Sequence, residues 1–346
     1  MARPHLYAQL PEDLTAHLGR AGVALTADEA RRLMAAAFDS RPPKQPLSKA
    51  KLEAVERELD ATRLELLEKV ENPSDRFVKY LFRSPDGALS EAVRIPLEKP
   101  GRFSVCLSSQ VGCAMACQFC ATGRLGLSRN LETWEMVSAF LRVRDEAPGR
   151  VVGAVFQGQG EPLQNYDAVI QTARVLSHPC GARVSGRSIT ISTVGLAPQI
   201  RRFAAERHPY RLIVSLTSAL EERRKRLLPV AGKVSLEELA RAVHEYAAVA
   251  KHGRLTLAMV LMSGVNTDAS EVREIQRLFG DLDLRINLID VNDPRPDGFR
   301  RASDAERKAF MSELQLLKAP IVRRYSGGAE KHAACGMLAA ERVGSA

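Results

Sequence analysis

The chain has 346 residues, 45% of them hydrophobic, which is enough for one large domain with an appendage, or two modest domains, around a sizeable core. Its 50 Lys plus Arg against 41 Asp plus Glu give a net charge of +9, favouring a polyanionic partner, nucleic acid first, over a small neutral one. No stretch reaches the roughly 20 apolar residues of a membrane span and the N-terminus lacks a secretory apolar run, so no membrane partner and a cytoplasmic location are expected.

Residues 1–75 read as a helical accessory domain: a capping box at Thr26-Ala-Asp-Glu29 opens an Ala/Leu/Met stripe, and a second amphipathic stretch covers Leu52 to Val70. Residues 76–100 read as a β-hairpin linker, its strands Arg76 to Phe82 and Glu91 to Ile95 joined through Ser84-Pro-Asp-Gly87. A strand over Arg102–Leu107 then feeds a cysteine-rich loop. Over 101–324 strand-like runs alternate with helix-like segments: Val151–Phe156, Ser188–Ser192, Leu212–Leu216, Leu255–Leu261, Leu284–Ile289 and Ile321–Arg323. Capping boxes at Ser235-Leu-Glu-Glu238, Asp268-Ala-Ser-Glu271 and Ser303-Asp-Ala-Glu306 open several of the helices. The alternation predicts an α/β fold with a parallel sheet, a partial six-unit (βα) barrel whose working residues sit at strand C-termini. Residues 325–346 form a tail of loop chemistry that contains Cys335.

The chemistry concentrates in Cys113-Ala-Met-Ala-Cys117-Gln-Phe-Cys120, three of the six cysteines within eight residues. Such crowding does not resemble a secreted disulfide framework, so any disulfide is expected to be catalytic rather than structural. Structural zinc sites are usually closed by four ligands, whereas three thiols leave one coordination position open. A zinc knob completed by Cys106 or a distant His is the competing reading, and it would make the chain a non-catalytic RNA-binding protein. Gly158-Gln-Gly-Glu-Pro162, Ser192, Ser215-Leu-Thr217 and Asn292 end successive strands. They suit a ligand-binding rim where Glu161 can accept from an ammonium. Gly158-Gln-Gly160 lacks the third glycine and helix context of a dinucleotide fingerprint. Aromatic residues, at 5%, are too sparse for a broad base-stacking platform. Arg223-Arg224-Lys225-Arg226 reads as a solvated helix face, and Cys180 as a small core hydrophobe.

The CxxxCxxC spacing resembles the signature of radical S-adenosylmethionine enzymes. Together with Ser108-Ser-Gln-Val-Gly-Cys113, Cys120-Ala-Thr-Gly, Arg129-Asn-Leu131, Gly160-Glu-Pro-Leu163, Ser192-Thr-Val-Gly195, Ile286-Asn-Leu-Ile289 and Ala333-Ala-Cys-Gly336, the likeness narrows. In order and spacing, from about residue 90 to 340, these motifs resemble the RlmN/Cfr family of radical S-adenosylmethionine RNA methyltransferases. The resemblance implies that Cys113, Cys117 and Cys120 hold a 4Fe-4S cluster whose remaining iron is chelated by S-adenosylmethionine. Gly160, Glu161, Ser192, Ser215, Leu216, Thr217 and Asn292 fall where the family contacts that cofactor.

Cys335 falls at the cysteine that takes a methyl group from one S-adenosylmethionine; a thiolate is a good nucleophile for that transfer. Cleavage of a second S-adenosylmethionine gives a radical that activates the methyl for addition to an adenine carbon too weakly nucleophilic for polar transfer. Glu91 matches the proton acceptor, and Cys106 the cysteine that releases the product by forming a disulfide with Cys335. The implied target is carbon 2, rather than carbon 8, of an adenine in ribosomal and/or transfer RNA. The implied partners are that RNA and an electron donor such as flavodoxin or ferredoxin, and the chain is expected to be a monomer. A radical enzyme acting on another substrate is the alternative, under which Cys335 is dispensable. Three departures touch the rim: Thr217 replaces a common histidine, Gln159 a common methionine, and Asp290-Val-Asn-Asp293 an apolar approach to Asn292.

Overall fold

The computed structural model describes residues 3–39, 45–71, 76–250, 255–293, 295 and 297–324. Twelve strands occur among them: β1 (Glu65–Glu71), β2 (Val78–Arg83), β3 (Leu89–Pro96), β4 (Arg102–Leu107), β5 (Gln110–Gly112), β6 (Leu127–Asn130), β7 (Arg150–Phe156), β8 (Ile189–Thr193), β9 (Arg211–Ser215), β10 (Leu255–Leu261), β11 (Leu284–Asp290) and β12 (Ile321–Arg324). Ten form one sheet in the order β1-β2-β3-β4-β7-β8-β9-β10-β11-β12, while β5 and β6 make a separate ribbon. From β4 to β12 every pairing is parallel. Helices follow each of the first six parallel strands, and β12 adds a seventh. This is the expected partial (βα)6 barrel, with no pairing between its two edge strands among the described residues.

Strands covered on both faces read as nearly continuous apolar runs. Leu255-Thr-Leu-Ala-Met-Val-Leu261 and Leu284-Arg-Ile-Asn-Leu-Ile-Asp290 have the same pattern, five of seven positions buried. The connecting helices bury one stripe each; in Ala269–Phe279 it is Val272, Ile275, Leu278 and Phe279. Thr26 and Ser303 close reciprocal boxes with Glu29 and Glu306. Ser235 caps Glu238 N. Asp268, by contrast, caps Ser270 N, because Glu271 turns inward. The Glu271 carboxylate accepts from Ser218 Oγ, Ala219 N and Arg223 Nη1, tying the segment after β9 to the helix that follows β10.

The N-terminal region departs from the helical reading at its end. Helices occupy Pro11–Arg20, Ala27–Phe38 and Lys49–Glu58, but Glu65–Glu71 is a strand. The side chain of Asp60 accepts from Thr62 N and Oγ1, offering the backbone a turn in place of another helical one. Beyond it, exposure alternates residue by residue, the period of a half-covered edge strand. β1, β2 and β3 then extend the barrel sheet antiparallel from β4. The preceding helices share the main core: His5 stacks on Trp134 at 4.4 Å, and Arg144 donates to the Phe38 carbonyl at 2.7 Å. Among the described residues no helix is long and apolar enough to cross a membrane.

Candidate active site

The candidate residues gather at the C-terminal ends of the parallel strands, where strand geometry leaves backbone groups free for ligands. After β4, the β5–β6 ribbon pinches the cysteine loop at its base: Cys113 N donates to Gly126 O at 2.7 Å. Within the loop Cys120 N donates to Cys117 O at 3.1 Å, and Gln118 N crosses to Leu227 O at 3.0 Å. Cys113, Met115 and Cys117 are buried against Leu227, Leu228, Ala231, Met262 and Val291, an apolar cluster separate from the main core, with Cys120 at its margin. Arg295 anchors the far side, pairing with Asp293 at 2.6 Å and donating to Gln118 O at 3.0 Å.

These surroundings resist bare thiolates. Burial pushes the Cys113 thiol up to about 11, with Cys120 and Glu161 adding repulsion. Cys117 is pushed up by burial, then by Cys120, Cys113 and Glu161. Thiols placed this way give up their protons when a cationic metal centre supplies the missing charge, so the loop fits a thiolate-held cluster. Among the described residues no three His, Cys, Asp or Glu side chains converge as a single metal ion requires. Cys106 stands apart from the loop in the chain's strand order. It lies on β4, partly buried, where Glu91 and Lys79 act on it electrostatically. Desolvation pushes its thiol up to about 12 against a bond from the Gln157 backbone.

The rim itself is built around Glu161. Gly160 passes so close to β5 that a Cβ there would meet Gln110 Cβ at 2.6 Å. Glu161 N donates to Gln110 Oε1, and its carboxylate accepts from Leu163 N at 3.0 Å and Val194 N at 2.9 Å. Burial nevertheless raises the carboxyl to about 7, which leaves it short of a countercharge. The sign follows: with an unfolded value of 4.5, Glu161 favours folding while protonated, and that contribution is lost as pH rises through about 7. In iron-free protein, Glu161→Gln is therefore expected to gain on wild type by about 3 kcal/mol between about pH 4.5 and above pH 7. Denaturant unfolding of both proteins across that range checks it, and a gap that does not change with pH contradicts it.

Ser192 and Ser215, from neighbouring strands, come within 3.4 Å Oγ to Oγ. Leu216 is fully buried. Thr217 adopts φ +57, and its carbonyl accepts from Asn266 Nδ2 at 2.7 Å. Its Oγ1 and Oε1 of Gln159 are buried without a hydrogen-bond partner, so both departures present polar atoms in the rim. Asn292 follows β11 and accepts from Arg301. Asp290 has a structural role: it pairs with Arg307 at 3.1 Å and Arg323 at 2.9 Å behind the rim. Cys335 and the tail motif around it lie outside the described residues.

Two buried cations in this region, Lys79 and Arg224, were not singled out from the sequence. Glu91, by base rate a solvated strand residue, is 4% exposed and faces Lys79. Arg224 breaks the expected solvated face of its basic run: it is 1% exposed and donates to the carbonyls of Leu216 and Val194, joining the ends of β9 and β8 beneath the cysteine loop. Its signal is positional, since Arg224 falls on the apolar stripe shared with Leu227 and Leu228, as Lys79 falls inside the apolar run Val78–Phe82.

The Radical SAM superfamily profile matches residues 107–277. A probable RNA methyltransferase of Anaeromyxobacter sp. is 44% identical over 333 residues, 95% of this chain and 97% of that one. A dual-specificity RNA methyltransferase RlmN of Syntrophobacter fumaroxidans is 41% identical over 82% of each chain. The crystal structure of a radical SAM methyltransferase from Sphaerobacter thermophilus superposes with a TM-score of 0.86 at 33% identity, covering 96% of this chain and 98% of that one. Superfamily membership implies a 4Fe-4S cluster and S-adenosylmethionine. With relatives of this identity across nearly the whole chain, and the cysteine loop seated on the barrel rim, the chain belongs to the RlmN/Cfr family of radical S-adenosylmethionine RNA methyltransferases.

Proposed function

We propose that this protein methylates carbon 2 of an adenine in ribosomal and/or transfer RNA, with the methyl group carried on Cys335. The observation that supports the reading is the strand register that puts Cys106 opposite Val93 and so on the same sheet face as Glu91, on the strand that leads into the cysteine loop. Cys113, Cys117 and Cys120 would hold the 4Fe-4S cluster. When bound, the cluster and S-adenosylmethionine supply one-electron cleavage of the sulfonium and hence a carbon-centred radical. Glu161 takes the cofactor's ammonium as its missing countercharge, while Gly160, Ser192, Ser215, Leu216, Thr217 and Asn292 line the remaining contacts. The apolar cluster around the loop excludes water from the radical.

Glu91 accepts the adenine ring proton, and the Cys106 thiolate bonds to the Cys335 sulfur as the bond from that sulfur to the transferred carbon breaks, its electron pair leaving with the product, where a proton completes the methyl group. The helices of residues 1–75 help grip RNA through phosphate contacts, residues 76–100 join them to the barrel of 101–324, and residues 325–346 deliver Cys335. The enzyme acts as a cytoplasmic monomer with a flavodoxin- or ferredoxin-like electron donor.

Intact-mass analysis after anaerobic cluster reconstitution tests the proposal. With S-adenosylmethionine, wild type is expected to gain one methyl and Cys335→Ala none, and Cys106→Ala is expected to retain RNA covalently. Cleavage of S-adenosylmethionine with no methyl on Cys335 would move the assignment to a different radical substrate.

A further inference from the structure

Lys79 sits in the middle of an apolar strand and is 1% exposed. Its Nζ lies 3.4 Å from Oε2 of Glu91, whose side chain is 3% exposed. The register places Val93 opposite both Lys79 and Cys106. Because alternate strand residues share a face, Lys79, Glu91 and Cys106 all project to the same side of the sheet. The Glu91 backbone is pinned there too, its carbonyl accepting from Ser108 Oγ at 2.7 Å.

A buried ion pair is a poor way to stabilise a fold. Desolvating both charges offsets their attraction, and apolar side chains of similar volume serve as well or better. An ion pair on the face it shares with a thiol therefore points to chemistry. A fixed ammonium opposite a carboxylate holds it in one orientation, from which it can accept a proton.

We propose that Lys79 is a positioning residue for the proton-accepting step, its ammonium holding the Glu91 carboxylate on the face it shares with Cys106. The inference rests on reading Glu91 as the acceptor. In the step, the C–H electron pair stays with the methylated ring carbon and the proton passes to Glu91. A neutral acid then faces the retained ammonium, and no oxidant or reductant is consumed.

The test uses full-length, cluster-reconstituted Lys79→Met, Lys79→Gln, Lys79→Arg and Glu91→Gln with S-adenosylmethionine and total RNA. Four readouts are compared: iron content, methyl on Cys335 by intact mass, RNA held covalently on denaturing gels, and released methyladenine. Lys79→Met is expected to keep its iron and its methyl-Cys335 while holding RNA covalently and releasing product roughly 100-fold more slowly or worse. Lys79→Arg, which retains a cation, is expected to recover to within roughly tenfold of wild type. Should the apolar variant fail to bind iron, Lys79→Gln decides in its place. Product release near the wild-type rate from Lys79→Met or Lys79→Gln overturns the inference, as does a parallel fall of all four readouts in both. If Glu91→Gln releases product normally, the acceptor reading itself falls. If Glu91→Gln holds RNA but the lysine variants do not, only the role of Lys79 falls.

Discussion

Cys117→Ala is expected to yield a colourless protein that folds but binds no iron-sulfur cluster and neither cleaves S-adenosylmethionine nor methylates RNA. Cys117 is the most strongly constrained of the loop thiols. It is buried between Cys113 and Cys120, with Glu161 and Arg224 acting on it from the rim. On the proposed reading an alanine there removes a cluster ligand, and it leaves the main core undisturbed, since the loop packs on its own apolar cluster. Stability of the iron-free protein is therefore expected to change by no more than about 1 kcal/mol, the ordinary range for a small substitution at such a site. Iron analysis, visible absorbance and unfolding curves of the iron-free forms together check it. Retained iron with wild-type absorbance would show that the loop is not the cluster's seat.

Gly112→Ala is expected to destroy the same centre by a different route. Gly112 has φ +76, and a Cβ on it would lie 1.9 Å from the Gly126 carbonyl oxygen, a contact no side chain tolerates. That close approach is what lets β5 and β6 pinch the base of the loop and lets Cys113 N reach Gly126. The left-handed backbone alone costs an L-residue about 1 kcal/mol or more, and the clash with main chain adds to it. We expect about 3 kcal/mol or more in all, released by opening the ribbon rather than by global unfolding, because β5 and β6 stand outside the ten-stranded sheet. Hydrogen exchange confined to roughly residues 110–130, with far-UV dichroism retained and iron lost, is the expected signature. Cooperative loss of the whole fold would show that the ribbon also supports the barrel.

The barrel strands were largely legible in the residues because short β-rich apolar runs alternate with capped amphipathic segments along the chain. Leu255–Leu261 and Arg102–Leu107 fall where the pattern places them, and the remaining parallel strands differ by one residue at one or both ends. The cysteine spacing was equally plain, since all three thiols fall within eight residues of one loop. β1 was not: Glu65 to Glu71 carries a period of two, but seven residues beside an amphipathic helix do not outweigh the helical stretch before them. The Asp268 motif looked like its neighbours, yet a buried Ser218 hydroxyl, the Ala219 N–H and Arg223 outcompete the local box for Glu271.

Local signals therefore carried the alternation of strand and helix, most of the capping residues and the cysteine-rich loop, because each depends on neighbours a few positions away. Long-range register settled the rest. The Lys79–Glu91 pair beside Cys106 joins three strands, and Arg224 links the ends of two strands to the floor of the cysteine loop. Such contacts arise only when the sheet twists distant residues onto one face, and the charge of a buried side chain is decided by what it meets there.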